Sequence, residues 1–217
     1  MSAARLDASA LRRWAHTSVG QLITHTDEIN RLNVFPVADS DTGTNMLFTM
    51  RSAVAAVDGR DDLDLVALTA CLADGALRGA RGNSGVILSQ ILRGLSDVTA
   101  ERHQPEIDGP AFAAVLRCAE GLVVASMGEA VPGTIVSVLA SAADTAEELA
   151  AEGADVPTVV GSAAAAAAAA LERTTDQLDV LAEAGVVDAG GRGLLVLLDA
   201  LTAVSYTHLT LPTTPYV

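Results

Sequence analysis

The chain has 217 residues, a formal net charge of −14, and hydrophobic residues at half of its positions with only 3% aromatics. Binding to nucleic acid is driven by basic residues, so this acidic composition argues against it. The sequence contains no lysine, which excludes a Walker P-loop, the ATP-binding lysine of protein kinases and Schiff-base chemistry. No apolar run reaches the ~18 residues of a membrane span, so no transmembrane segment is expected.

Apolar residues recur with the period of about 3.6 that is typical of helices, and no segment alternates convincingly as a strand would. The predicted helices span about residues 9–32 (with a kink near Gly20), 43–57, 63–77, 83–98, 111–127, 134–151, 157–184 (with a break near Thr174) and 190–203. The charged segment 101–110 is predicted to be a loop. The expected fold is all-α, an antiparallel bundle or barrel of eight helices.

Glycine-rich or polar junctions precede every second helix, at residues 39–45, 79–85, 132–134 and 188–193. Because short loops make consecutive helices antiparallel, these four junctions should lie at the same end of the bundle. Four helix N-termini would then present backbone N–H groups and positive dipole ends to one ligand. The pattern predicts a site for an anion, such as phosphate, at that end.

The first junction carries two carboxylates, Asp39 and Asp41, two residues apart. Side chains at this spacing in an extended loop point the same way, so both can reach one divalent cation or an adjacent pair. The alternative is a capping turn in which Asp41 or Thr42 caps the next helix. An EF-hand is excluded because Met50, not an acid, stands at position 12 from Asp39. Asn33 is either a further oxygen ligand or a helix C-cap.

Other polar residues at the junctions each have a functional and a structural interpretation. Thr44 and Asn45 could donate to phosphate or act as local caps. Ser84 could donate its hydroxyl to phosphate or cap its own helix, and Arg81 could neutralise phosphate charge, although the loop around them could equally be a flexible hinge.

The last two junctions carry weaker signals. In the simplest interpretation, Gly133 with Thr134 and residues 188–193 each form a turn and a helix cap. Asp188 could accept a hydrogen bond from a ribose hydroxyl or an adenine amine. Arg192 is either a second cationic group for phosphate or a solvated arginine.

The two cysteines, Cys71 and Cys118, lie in apolar helical patterns with no Cys or His at ligand spacing. We interpret both as reduced core residues of a cytoplasmic protein. Trp14, His16 and His25 are assigned to packing or to the surface.

The end of the chain differs in composition from the rest. Two prolines, both tyrosines and several threonines occur together after the last predicted helix. The string resembles a translated sequencing adapter, so residues 204–217 are predicted to be a non-native tail. The authentic domain is expected to cover residues 1–203, and the natural protein is expected to continue with further domains.

Three long motifs, at residues 32–46, 79–90 and 184–195, together resemble the DhaL-type domain family. The resemblance is closest to the form found at the N-terminus of bacterial fatty acid kinases, and it covers about residues 9–203. This chain has Ala38 and Ser40 where the family motif has Pro and Gly.

The resemblance implies an eight-helix barrel that binds ATP and two Mg²⁺ ions at one end. It implies that Asp39 and Asp41 are Mg²⁺ ligands, with Asn33 near the position of a third. The residues implied for ATP or phosphate binding are Thr42, Gly43, Thr44, Asn45, Gly82, Asn83, Ser84, Gly133, Thr134, Asp188 and Gly190. Arg81 and Arg192 stay candidates for neutralising phosphate charge.

The implied reaction is transfer of the γ-phosphoryl group of ATP to the carboxylate of a fatty acid held by a separate binding protein. The product would be an acyl phosphate. The full enzyme carries further domains, so this segment alone is expected to bind Mg–ATP with little kinase activity. Two alternatives stay open, a nucleotide-binding subunit of a dihydroxyacetone kinase and a non-catalytic nucleotide-sensing domain. A homodimer is compatible with all three of these functions.

Overall fold

A computed structural model describes residues 6–206 of the chain. Two short antiparallel strands, β1 (Leu6–Asp7) and β2 (Glu106–Ile107), accompany the helices. The helices in this part of the chain are α1 (Ala8–Leu32), α2 (Thr42–Ala55), α3 (Leu65–Gly79), α4 (Gly82–Arg102), α5 (Gly109–Met127), α6 (Ile135–Ala151), α7 (Val156–Gln177), α8 (Asp179–Ala184) and α9 (Ala189–Tyr206).

The eight long helices form a closed ring. Each packs against its neighbour along the chain, α7 packs against α9, and α9 packs against α1 to close the barrel. The short α8 packs against α7. The predicted all-α fold of eight antiparallel helices is therefore confirmed, with α8 as an additional turn. Because direction alternates around the ring, α2, α4, α6 and α9 begin at the same end.

Small residues allow these helices to approach closely. A Cβ atom on Gly94 of α4 would lie 2.8 Å from the backbone nitrogen of Ala119 on α5. The alanine tract at residues 163–170 buries Ala163 and Ala167 completely in the core. Interiors are packed at close to crystal density, so short side chains here set the spacing between neighbouring helices.

The helices that begin at the opposite end, α1, α3, α5 and α7, share one kind of start. Each follows an aspartate whose carboxylate accepts the N–H of the third helical residue, the usual N-cap interaction. These bonds are Asp7 to Ala10 at 2.8 Å, Asp64 to Ala67 at 2.8 Å, Asp108 to Ala111 at 2.7 Å, and Asp155 to Thr158 at 2.9 Å. One N–H group at each of these four helix starts is thereby satisfied within the protein.

Two details of the predicted elements need correction. The segment 101–110 is not simply a loop, because Arg102 ends α4 and residues 106–107 pair with β1. A two-residue pairing is too short to produce a visible alternation of apolar and polar residues. The predicted break near Thr174 occurs instead at Leu178, between α7 and α8. α1 runs as one helix through Gly20, and the kink expected near that residue stays a prediction.

The predicted non-native tail lies mostly outside the described residues. α9 extends past Ala203 to Tyr206, and Val204 and Ser205 are buried. The first three residues of that segment therefore belong to the last helix of the barrel. The foreign origin of residues 204–217 stays a prediction.

Trp14 takes the place expected of a packing residue, whereas the two cysteines predicted for the core lie at its edge. Trp14 is buried, and its Nε1 donates to the carbonyl of Leu197 on α9 at 3.0 Å. Cys71 and Cys118 are free thiols, half-buried against the core rather than within it. Burial raises the pKa of the Cys118 thiol.

One helix within residues 6–206, α5, is long and apolar enough to cross a membrane by length and composition alone. It packs between α4 and α6 as one member of the barrel. Core helices meet the same criterion, so this is weak evidence for a membrane span. The expectation of no transmembrane segment stays a prediction.

Candidate functional site

A cavity of about 230 Å³ lies at the end of the barrel where α2, α4, α6 and α9 begin. Residues from all four helix starts line it, as does the loop between α1 and α2. The predicted convergence of alternate helix starts is therefore confirmed. The lining includes ten residues that the sequence marked for metal or nucleotide: Asn33, Asp39, Asp41, Thr42, Gly82, Asn83, Ser84, Thr134, Asp188 and Gly190.

Apolar side chains that the sequence did not mark complete the lining. Phe35, Pro36 and Val37 precede the two aspartates, and Met127 ends α5 on another side of the cavity. Val37 is 61% exposed. A cavity with apolar walls and few convergent polar groups is the usual form of a small-molecule site.

Asn33 connects the end of α1 to the acidic loop. Its Nδ2 donates to Oδ1 of Asp39 at 2.7 Å, and its own backbone N–H bonds to the carbonyl of Asn30 as the C-cap of α1. Asn33 is buried whereas Asp39 is exposed. The amide therefore orients the Asp39 carboxylate, in agreement with the C-cap interpretation, and its role as a metal ligand stays a prediction.

Ser40 forms the turn between the two carboxylates. Its φ is 56°, in the left-handed region that favours glycine. The DhaL-type motif that this segment resembles has glycine at this position, and a positive φ is a physical reason for that glycine. Ser40 adopts this left-handed conformation here, and Asp39 and Asp41 on either side of it both line the cavity.

Asp41 precedes α2 but does not cap it, because its carboxylate makes no bond to the helix start. The capping alternative for Asp41 is therefore wrong. Asn30 of α1 takes that place: its Oδ1 accepts the N–H of Gly43 at 2.8 Å and of Thr44 at 3.2 Å. Its Nδ2 donates to the Thr44 hydroxyl at 3.0 Å. These two N–H groups, predicted to hold phosphate, are already engaged within the protein.

Gly82 lets the starts of α2 and α4 meet. Its φ is +57°, and a Cβ there would lie 2.3 Å from Nδ2 of the buried Asn45. Asn45 itself does not line the cavity. α4 begins without a side-chain cap, so its first N–H groups remain available to a ligand.

Asp188 ties α6 to α9. Its Oδ2 accepts the N–H of Gly191 at 2.7 Å, and backbone N–H groups of Ile135 and Gly190 also bond to the carboxylate. Burial raises the pKa of Asp188 to about 6, against the opposing effect of these bonds. Thr134, the residue before α6, caps that helix: its hydroxyl oxygen accepts the N–H of Val136 in a long bond of 3.4 Å.

The two arginines predicted to neutralise phosphate lie elsewhere. Arg192 pairs with Glu28 of α1, with Nε at 2.7 Å from Oε1, and this bond is the main cause of the lowered pKa of Glu28. Arg81 stacks on Phe48, its Cζ 4.4 Å from the ring centroid. Neither lines the cavity, so the geometry does not support that role. Gly133 is also outside the lining and packs beside Gln177.

The donor set of the cavity fits a hard cation that is shared with a ligand. Within residues 6–206 no group of three or more His, Cys, Asp or Glu side chains could hold a metal by itself. Asp39 and Asp41 offer two carboxylates, and Ser84 offers a hydroxyl at the same cavity. Mg²⁺ is commonly bound through one or two carboxylates together with substrate phosphates, which matches this incomplete set.

Comparison with known proteins identifies the family. The model of the DAK2 domain family matches residues 36–203. This chain belongs to the DAK2 domain family. The predicted DhaL-type resemblance is thereby confirmed, and the match contains all of the cavity lining from Pro36 onward.

Relatives of this DAK2 domain are longer proteins. Protein YloV of Bacillus subtilis (strain 168) is 38% identical over 203 residues, which is 94% of this chain and 36% of YloV. Uncharacterized protein SSP1546 of Staphylococcus saprophyticus is 39% identical over 176 residues, covering 81% of this chain and 32% of its own length. The chain thus spans about a third of the curated relatives that it matches.

A solved structure shares the fold. The dihydroxyacetone kinase from C. freundii, in complex with AMP-PNP and Mg²⁺, superposes with a TM-score of 0.66 at 20% sequence identity. The similarity covers 88% of this chain and 33% of that one. It supports the all-α barrel of the DAK2 domain.

Proposed function

We propose that this DAK2 domain binds Mg–ATP for a kinase that phosphorylates the carboxylate of a fatty acid presented by a separate binding protein. The observation that carries the proposal is the meeting of four helix starts and two aspartates at one cavity. Membership of the DAK2 family and the AMP-PNP and Mg²⁺ in the structural neighbour support nucleotide binding. The motif resemblance to bacterial fatty acid kinases supports the acceptor.

Each group at the cavity has a role in this proposal. Asp39 and Asp41 would hold the metal ions, two by the family resemblance, which neutralise charge on the phosphates when bound. Thr42 and Ser84 would donate to phosphate oxygens, and the uncapped start of α4 adds backbone N–H groups. Asp188 holds two of the four helix starts together and so keeps the cavity in shape.

Phosphoryl transfer depends mainly on positioning and charge neutralisation. A fatty acid carboxylate is already ionised near pH 7, so no general base is required to activate it. This agrees with a cavity that lacks a His residue. The apolar side formed by Phe35 and Val37 would exclude water from the transfer.

A dihydroxyacetone kinase subunit is the second candidate, because the solved structure that shares the fold is a kinase of that class. A nucleotide sensor without turnover is the third. The first two differ in the acceptor of the phosphoryl group, and the third has no acceptor. The chain covers about a third of YloV, so the acceptor is bound through other domains in the first proposal.

The test is phosphoryl transfer from γ-labelled ATP by the full-length natural protein. We expect label on a fatty acid loaded on its binding protein and none on dihydroxyacetone. The isolated domain, residues 1–206, should bind Mg–ATP yet transfer less than about a hundredth as fast. Transfer to dihydroxyacetone would favour the second candidate. ATP binding without transfer to either acceptor would favour the third, and rapid fatty acid phosphorylation by the isolated domain would contradict the need for further domains.

A further inference from the structure

Asp41 is the exception among the aspartates that precede helices in the described part of the chain. Five others accept the N–H of the third helical residue: Asp7, Asp64, Asp108, Asp155 and Asp188. Asp41 stands at the same position before α2 and makes no such bond. Something must satisfy the N–H groups that an N-cap carboxylate would normally take.

Asn30 supplies that acceptor from a different helix. Its Oδ1 accepts the N–H groups of Gly43 and Thr44, the second and third residues of α2, at 2.8 and 3.2 Å. Its Nδ2 fixes the amide by donating to the Thr44 hydroxyl at 3.0 Å. The donors that would attract the Asp41 carboxylate are therefore already occupied.

The close contact between α1 and α2 keeps this arrangement in place. A Cβ on Gly43 would lie 2.6 Å from the carbonyl oxygen of Thr26 and 3.1 Å from Oδ1 of Asn30. Only glycine allows the start of α2 to come within reach of the Asn30 amide. One turn further along α1, Asn33 holds Asp39 at the other end of the acidic loop.

We infer that Asn30 is a positioning residue that caps α2 in place of Asp41 and so leaves the Asp41 carboxylate free to bind a divalent cation. This inference rests on the proposed Mg–nucleotide function of the cavity. Asn30 does not line the cavity and acts through Asp41. Without Asn30, the Asp41 carboxylate would turn to the free N–H groups of α2, as the five other aspartates do.

The test is a Mg²⁺ titration of the protein at a fixed concentration of AMP-PNP, in which calorimetry measures Mg²⁺ binding. Asn30→Leu keeps the branched shape of the side chain but removes the acceptor, and should raise the Mg²⁺ midpoint at least tenfold. Asn30→Asp keeps an acceptor for both N–H groups, so its midpoint should stay within about threefold of wild type. A near-normal Mg²⁺ midpoint in Asn30→Asp and a raised midpoint in Asn30→Leu would show that Asn30 acts through its acceptor oxygen.

A matched control separates positioning from general stability. Thr69→Val removes the buried hydroxyl contact of 2.6 Å with Thr99, between α3 and α4, and should leave the Mg²⁺ midpoint unchanged. An unshifted midpoint in Asn30→Leu would overturn the inference, and so would an equal shift in Thr69→Val. Absence of Mg–AMP-PNP binding in the wild-type protein would instead reject the proposed function itself.

Discussion

At the scale of single residues, the sequence predicted the groups whose signal is local. Asp39 and Asp41 stand two apart in one loop, and both line the cavity. Asn30 escaped prediction because its partner Gly43 lies 13 residues away on another helix. Arg192 was predicted for phosphate because its partner Glu28 is distant in sequence and no local pattern reveals the pair. Pairings between helices are decided by packing, which local patterns do not encode.

Asp188 gives a pH-dependent prediction. Burial raises its pKa from 3.8 to about 6, so the folded state binds a proton more tightly than the unfolded state. Its contribution to stability is complete below the unfolded pKa and is lost as pH rises towards 6. The free energy of unfolding of the wild type, relative to Asp188→Asn, should fall by about 2 kcal/mol between pH 4 and pH 7.

Urea denaturation of both proteins at several pH values measures this difference. Asp62→Asn, at an exposed aspartate before α3, serves as the control for the loss of one carboxylate elsewhere in the protein. A wild-type to Asp188→Asn difference that stays flat from pH 4 to pH 7 would contradict the account of a buried, ionisable Asp188.

At the scale of helices, the apolar periodicity predicted well which segments are helical and predicted less well where each helix ends. Each of the eight long helices has its 3.6-residue pattern, and this signal is strong in long elements. The two-residue strands carry no period, and the start of α8 at Asp179 depends on the bend at Leu178. The barrel closes by packing α9 on α1, the last and first helices of residues 6–206, and this long-range contact was not predicted. The antiparallel order of consecutive helices predicted only that alternate helices begin at the same end.

Two glycines test the close packing of α4 on α5. Gly94→Ala would place a Cβ 2.8 Å from the backbone of Ala119, and should lower the free energy of unfolding by about 1–3 kcal/mol. Gly121→Ala, also within a helix, meets no atom within 4 Å and should raise it by about 0.5–1 kcal/mol. Thermal and urea unfolding of both variants measure these changes. If both substitutions changed the free energy of unfolding by the same amount and with the same sign, the short distance between α4 and α5 would not explain the effect of Gly94→Ala.

At the scale of the whole molecule, the two ends of the barrel differ in their chemistry. Aspartates cap the helices at one end. At the other end, among the four helix starts that the structure describes, α9 alone is capped by an aspartate, α2 is capped by Asn30 of α1, and α4 has no side-chain cap. A cavity lies among these helix starts. The uncapped N-terminus of α4 and the positive dipole ends of the four helices attract phosphate, and the two carboxylates attract metal. This asymmetry is the physical basis of the proposed nucleotide site.

Calorimetry of Mg–AMP-PNP binding tests that claim most directly. The wild-type domain should bind one nucleotide. Asp39→Asn and Asp41→Asn should each weaken binding at least tenfold, about 1.4 kcal/mol, while Asp62→Asn, the loss of an equal charge at the opposite end, should change it less than twofold. A wild-type domain that binds no Mg–AMP-PNP, or equal losses in all three variants, would contradict the account.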